Sequence, residues 1–155
     1  MRFRRVTSLI VLLVLVHSYP LSAAQTVPFR GNWSGSTVSA EVVGPNLVFV
    51  VSTGSGNATH LGRFEMTSPH FSHIDTLAVE GTQIFTAANG DTITASFSGQ
   101  FVPTAEGLEG TLQGVITGGT GRFAAATGTY DFHIIARPAA FGFDSEATID
   151  GVISF

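Results

Sequence analysis

The sequence predicts that residues 25–155 fold into an all-β domain, an eight-stranded antiparallel β-barrel. Thr, Val, Ile and Phe alternate with small or polar residues along most of this stretch, which is the period of half-buried strands. Turn-forming residues divide it into eight strand-like segments, whose short connections favour antiparallel pairing of neighbours. Glycines within these segments allow a sheet to bend and close, which favours a barrel over the alternative, a β-sandwich.

Seven turn signals define the eight strands in order. The strands are predicted at about 31–42, 47–55, 58–67, 76–87, 91–102, 107–117, 122–137 and 143–155. The turns between them consist largely of residues that adopt tight turns readily: Gly44-Pro45-Asn46, 54–57, Ser68-Pro69, Asn89-Gly90-Asp91, 103–107, 118–121 and 138–142. Asn89-Gly90 is the strongest hairpin signal, because both residues tolerate the positive φ angles of a two-residue turn.

The first 24 residues have the pattern of a signal peptide. A basic start is followed by an apolar run over 9–16 and by small residues at Ser22, Ala23 and Ala24. The apolar run is shorter than the roughly 20 residues of a membrane-spanning helix, so no membrane span is predicted. We expect cleavage near Ala24, which leaves one secreted or periplasmic domain of residues 25–155.

The charge and cysteine content excludes several classes of function. Loss of the signal leaves four of the seven basic residues against 11 acidic ones, a net charge of about −7. Such a surface does not suit nucleic acid, whose binding requires clustered Lys and Arg. The chain has no Cys, which excludes disulfides, thiolate metal ligands and a Cys nucleophile.

The two faces of several predicted strands differ in polarity. In the seventh strand Asp131 and His133 share one face, whereas Tyr130 and Phe132 share the other. If the barrel interior is a dry core, the polar face lies outside. If neighbouring subunits cover the apolar face instead, the polar face lines the lumen. The sequence leaves both arrangements open.

Two pairs of polar residues are candidates for chemistry. Asp131 and His133 are the candidate catalytic residues, because side chains two apart on a strand can act as an acid/base pair. The alternative is that they belong to a solvated outer face. His60 and Arg63 are candidate ligand-binding residues that hold a substrate oxygen. The alternative for His60 is a histidine that is satisfied by backbone carbonyls.

Aromatic side chains supply further ligand-binding candidates. An eight-stranded barrel is about wide enough to be filled by side chains or to hold one small ligand. Trp33 and Tyr130 are candidates because aromatic side chains can form either the core or a wall that faces the ligand. The segment from His70 to Asp75 contains nitrogen and oxygen donors, but a lone HxxH outside a helix lacks a third ligand. We therefore predict no metal and no cofactor.

The segment Gly118-Gly119-Thr120-Gly121-Arg122-Phe123-Ala124-Ala125-Ala126-Thr127-Gly128 resembles the GGTGxFxxaxG signature of dirigent proteins and plant allene oxide cyclases. The stretches Asn57-Ala58-Thr59-His60-Leu61-Gly62-Arg63-Phe64 and Thr86-Ala87-Ala88-Asn89-Gly90-Asp91 look like those of small exported bacterial proteins with the same barrel. The resemblance implies an eight-stranded antiparallel barrel that holds a small apolar molecule, shields a reactive intermediate and steers a ring closure or coupling. It also implies homo-oligomers, specifically trimers.

Two functions from different classes follow. In the first, the exported barrel binds a small hydrophobic molecule and guides an isomerisation or cyclisation without a cofactor, as the resemblance to allene oxide cyclase and dirigent proteins implies. Asp131 and His133 then move the proton, and His60 or Arg63 holds the substrate oxygen. In the second, the protein is a non-catalytic carrier of a hydrophobic ligand or a secreted structural protein of the cell surface.

Overall fold

A computed structural model describes residues 25–155, which form a closed barrel of eight strands. Each strand pairs antiparallel with the next, and the last pairs with the first. The strands are β1 (Thr26–Gly44), β2 (Leu47–Ala58), β3 (Gly62–His73), β4 (Ala78–Ala87), β5 (Thr92–Pro103), β6 (Leu108–Gly119), β7 (Thr127–Pro138) and β8 (Phe143–Ser154). The predicted fold class and strand count are confirmed. The predicted signal peptide lies outside the described residues.

Two of the seven predicted turns are wrong. Residues 54–57 belong to β2, because they pair with β1 on one side and with β3 on the other. Ser68-Pro69 lies within β3, which continues to His73. Pro69 is opposite Val51 of β2, and the ladder between β3 and β4 is interrupted from Thr67 to His70, which accommodates a residue without an N–H donor.

The apolar faces of the strands point into the barrel, which answers the question that the sequence leaves open. At the end of the barrel that carries the β2–β3, β4–β5 and β6–β7 connections, large side chains fill the lumen, and we call this the closed end. The side chains that are almost completely buried there are those of Phe29, Phe64, Phe85, Ile93, Phe123 and Ile153. Their rings pack edge to face, as in the contacts of Phe85 with Phe29 at 6.1 Å and with Phe64 at 5.4 Å.

The β6–β7 connection covers the closed end. It contains one short 3-10 helix, Gly121–Phe123, whose Phe123 is 0 % exposed and lies 5.0 Å from the ring of Phe155. Arg122 donates a hydrogen bond to the carbonyl of His60 in the β2–β3 turn, and its guanidinium lies 4.7 Å from the Phe123 ring. The glycine-rich segment recognised in the sequence is therefore a cap over one end of the barrel.

The opposite end, which carries the β1–β2, β3–β4, β5–β6 and β7–β8 connections, is built differently, and we call it the open end. β1 is the longest strand and pairs with β8 only as far as Ser36, which is opposite Asp144. Beyond a bulge between Thr37 and Ser39 it continues to Gly44 with β2 as its partner. The wall of the barrel is therefore incomplete on one side of the open end.

Candidate functional site

A cavity of about 330 Å³ occupies the open end of the lumen and opens to solvent. Its volume is at the lower end of the range typical of small-molecule sites. On strands β5 to β8 the cavity wall is almost entirely apolar, with the side chains of Phe97, Phe101, Leu112, Phe132, Ile134 and Ala136 among those that line it.

A polar strip lies across the cavity wall on strands β1 to β4. Thr37, Ser52 and Ser68 are register neighbours on three successive strands, so their hydroxyl groups form one row across the wall. Ser72 and His70 extend the strip along β3, and Gln83 extends it onto β4. Because the serine and threonine side chains are much smaller than the phenylalanines of the closed end, they leave the space that forms the cavity.

His70 is the basic group of this strip. It pairs with Val50 on one side and with Gly81 on the other, and its ring meets the edge of the Phe97 ring at 5.9 Å. Nδ1 lies 3.0 Å from the carbonyl oxygen of Ser68. A carbonyl can only accept, so Nδ1 carries the hydrogen and donates it. Burial lowers the pKa of His70 and keeps the ring neutral near pH 7, which leaves a lone pair on Nε2.

Trp33, one of the ligand-binding candidates, lies in the cavity wall. Its side chain is 3 % exposed, and its ring packs 5.8 Å from that of Phe132. Gly35 makes this position available, because a Cβ atom there would lie 2.3 Å from Cζ2 of the indole. Among residues 25–155, the Trp33 Nε1 is the one buried side-chain nitrogen or oxygen without a hydrogen-bond partner.

Tyr130 lies between the filled and the empty part of the lumen. Its hydroxyl donates to Oε1 of Gln83 at 2.5 Å, and burial raises the pKa of the phenol well above its ordinary value. The ring covers Gly114, where a Cβ would lie 2.2 Å from the Tyr130 Cζ. Tyr130 thus orients Gln83, which lines the cavity and is 1 % exposed.

Asp131 and His133 lie on the outer face of the barrel and are exposed. His133 interacts with neighbours on β6, with Nδ1 3.1 Å from Oγ1 of Thr111 and Nε2 3.3 Å from Oε1 of Glu109. The arrangement in which the polar strand faces line the lumen is therefore wrong, because the apolar faces of the same strands fill it. An acid/base role for the pair stays a prediction, and it is located away from the cavity.

His60 and Arg63 lie at the closed end, far along the strands from the cavity. His60 is in the β2–β3 turn with a positive φ of 63°, and its ring lies 5.6 Å from that of Phe155. Arg63 is exposed near the start of β3. The structure does not bring these two residues together with Trp33 and Tyr130, so their ligand-binding role stays a prediction for the opposite end of the barrel.

The segment from His70 to Asp75 does not gather its donors. His70 and His73 both line the cavity, but Nε2 of His73 lies 3.8 Å from Oε1 of Glu80 on β4. Within residues 25–155 no three His, Asp or Glu side chains are grouped as a metal site requires.

Sequence reasoning missed His70, Gln83 and the serines of the polar strip as lumen residues. The signal was present, since Phe64, Met66, Ser68, His70 and Ser72 continue one alternation along β3. It was obscured because Ser68-Pro69 was interpreted as a turn, which placed His70 in a loop.

Eight antiparallel strands, a capped end and a cavity at the other end define a dirigent-like β-barrel. No protein-family model matches the chain, and neither does any curated protein. Among solved structures it is similar to the pterocarpan synthase dirigent protein GePTS1, with a TM-score of 0.54 and 12 % identity over 92 % of this chain and 99 % of that one.

A second similar structure is the pterocarpan synthase dirigent protein PsPTS1. The TM-score is 0.53 and the identity 11 %, over 88 % of this chain and 97 % of that one. At this identity the likeness shows the fold. Within the described part of the chain, no helix has the length and hydropathy of a membrane span.

Proposed function

We propose that the protein is exported and binds one small hydrophobic molecule in the cavity at the open end. The observation that carries the proposal is the contrast within a single lumen, which is filled by aromatic rings at one end and holds about 330 Å³ of space at the other. Removing apolar ligand surface from water gains roughly 25 cal/mol per Å². A lumen built only for stability has no reason to keep this space, because unfilled volume costs stability.

We propose a second, catalytic role for the same cavity, the guidance of an isomerisation or cyclisation without a cofactor. The support is the fold shared with two proteins described as pterocarpan synthases, together with a neutral imidazole beside the cavity. The proton transfer that the sequence assigns to Asp131 and His133 falls in this proposal to His70, which lines the cavity. The barrel contributes by excluding water and fixing the conformation of the ligand.

A neutral fluorescent probe, N-phenyl-1-naphthylamine, tests the binding proposal. We expect saturable binding of one probe per chain. Ser52→Phe should abolish it, because the new ring enters the cavity from the middle of the polar strip. The matched control is Ser34→Phe, on the exposed outer face of β1, which should bind as the wild type does. Failure of the wild type to bind the probe would favour a structural protein.

Turnover separates an enzyme from a carrier. Polyunsaturated epoxides, phenolic radicals and polyketide-like precursors are the substrates to offer, with loss of reactivity in Ser52→Phe as the criterion for a reaction in the cavity. Binding without turnover of any of them would favour a hydrophobic-ligand carrier.

The trimer that the resemblance implies stays a prediction, which light scattering of the purified protein can measure.

A further inference from the structure

The imidazole of His70 lines the cavity and has its orientation fixed by a backbone contact. Within the described residues, the imidazole of His70 makes one hydrogen bond, from Nδ1 to the carbonyl of Ser68. This bond assigns the hydrogen to Nδ1, so the lone pair of the neutral ring is on Nε2. The serine and threonine hydroxyls of the polar strip can rotate and either donate or accept, whereas Nε2 of the neutral ring can only accept.

The surroundings of His70 keep this acceptor in its neutral form. Its register neighbours are Val50 on β2 and Gly81 on β4, followed by Phe97 on β5, and none of them carries a charge. Ser68 and Ser72 are its neighbours on the same face of β3. The nearest titratable group along the chain is His73, which lines the same cavity at the end of β3 and lies beside Glu80. Burial in these surroundings lowers the pKa of His70.

A glycine gives the ring its position across the wall. A Cβ atom at Gly81 would lie 2.5 Å from the Cβ of His70, so any larger residue there would displace the histidine. With glycine in place, the imidazole reaches across β4 to the Phe97 ring on the apolar wall. The imidazole therefore lines a mainly apolar cavity, where a ligand that hydrogen-bonds to Nε2 gains more than it would in water.

We propose that His70 sets the specificity of the cavity, by selecting apolar molecules that carry a neutral hydroxyl group to donate to Nε2. This inference rests on the proposed function, because it concerns the ligand that the cavity binds. It assigns the polar strip to one edge of the ligand and the wall of β5 to β8 to its apolar body. The matching ligand is an amphipathic alcohol with a flat or branched hydrocarbon part.

Two competitors of nearly equal shape test the inference. The alcohol 2-naphthalenemethanol and the hydrocarbon 2-ethylnaphthalene differ by a hydroxyl in place of a methyl group, and each is titrated against bound N-phenyl-1-naphthylamine. The alcohol is better solvated in water, so the ratio of the two affinities has meaning only relative to a variant without the acceptor. We expect His70→Phe to lower the preference for the alcohol by about three- to tenfold, the usual worth of one hydrogen bond.

His133→Phe is the matched control, because it removes a histidine from the outer face of the barrel. It should keep the wild-type ratio. An equal ratio in the wild type and in His70→Phe overturns the inference and leaves the proposed function standing, since both competitors still displace the probe. A change of the same size in His133→Phe also overturns it. If the wild type does not bind the probe at all, both proposals fail together.

A measurement on the wild type keeps the test independent of how the variant folds. In protein with 15N-labelled histidine, the Nε2 resonance of His70 should move when the alcohol is added and stay in place with the hydrocarbon. Equal movement with both compounds, or none with either at saturation, contradicts a hydrogen bond to Nε2.

Discussion

The two ends of the barrel follow the same alternation of inward and outward residues but differ in the size of the inward ones. Along β3 the inward side chains are Phe64 and Met66 at the closed end, then Ser68, His70 and Ser72 at the open end. The pairing of β3 with β2 is continuous through both halves. Alternation therefore determines the fold, whereas the volume of the inward residues determines which half is a core and which half is a cavity.

The largest difference between the ends should appear when a ring is removed from each. Phe123→Ala at the closed end should lower the free energy of unfolding by about 3–5 kcal/mol, because the ring is fully buried and leaves a closed void. Phe101→Ala at the open end should cost about 1–2 kcal/mol, because one side of this partly buried ring already faces the cavity. Urea unfolding of both variants measures the difference, and equal losses would break the comparison.

A single methyl group should sharpen the comparison. Gly114→Ala places a Cβ 2.2 Å from the Tyr130 ring, so the ring must move, at a cost of about 1–3 kcal/mol. Gly44→Ala in the open-end hairpin is the control, because its new Cβ meets only the Cβ of Leu47, at 3.4 Å. We expect its effect to stay within about 0.5 kcal/mol, as at ordinary surface positions. Thermal unfolding of the two variants measures the difference. Equal stability of Gly114→Ala and Gly44→Ala would mean that the closed end is loosely packed.

The pH dependence of stability should report on the open end through His70. Burial lowers the pKa of this group below its ordinary value of 6.5, and no charged side chain faces it from β2, β4 or β5. Between the lowered pKa and 6.5 the unfolded chain binds more protons than the folded one. The free energy of unfolding therefore rises with pH across that window, and the contribution of His70 to it is lost as the pH falls through the window.

His70→Phe should remove this part of the pH dependence. The measurement is the difference in urea midpoint between wild type and variant at a series of pH values from 7.5 downwards. A difference that stays constant across the window would mean that His70 is protonated as easily in the barrel as in the unfolded chain.

The smallest effects should come from the outer wall. Arg30 and Asp150 form an ion pair at 2.9 Å, but both are largely exposed, so Arg30→Ala should cost at most about 1 kcal/mol and less in high salt.

Asp131→Ala and His133→Ala should leave probe affinity unchanged, because both side chains lie outside the lumen. Loss of probe binding in either variant would show that the outer wall and the cavity are coupled.

Much of the fold was predictable because it depends on short-range signals. Eight alternating segments and the Asn89-Gly90 hairpin led to the correct strand count and order, and the glycine-rich segment resembled that of a known barrel. The strand ends at 54–57 and at Ser68-Pro69 were wrong, because pairing with two neighbouring strands overrode local turn preference.

The candidate site was only partly predictable. The aromatic content made Trp33 and Tyr130 ligand-binding candidates, but it does not reveal that Gly35 and Gly114 make room for their rings. Which face of a strand points inward depends on closure of the whole barrel, so Asp131 and His133 were as good candidates as any in the sequence. His70 became visible only once β3 was seen to continue past Pro69.

The incomplete wall at the open end has a consequence for the solubility of the protein. Within residues 25–155, no strand lies beside one edge of β1 from Val38 to Val43, and unpaired edges of this kind can recruit other chains into intermolecular sheets. Two features oppose such aggregation, the bulge next to Thr37 and the charge of Glu41 in the middle of an otherwise uncharged run. The opening of the cavity is thus also the place where the chain must guard against self-association, with one bulge and one carboxylate.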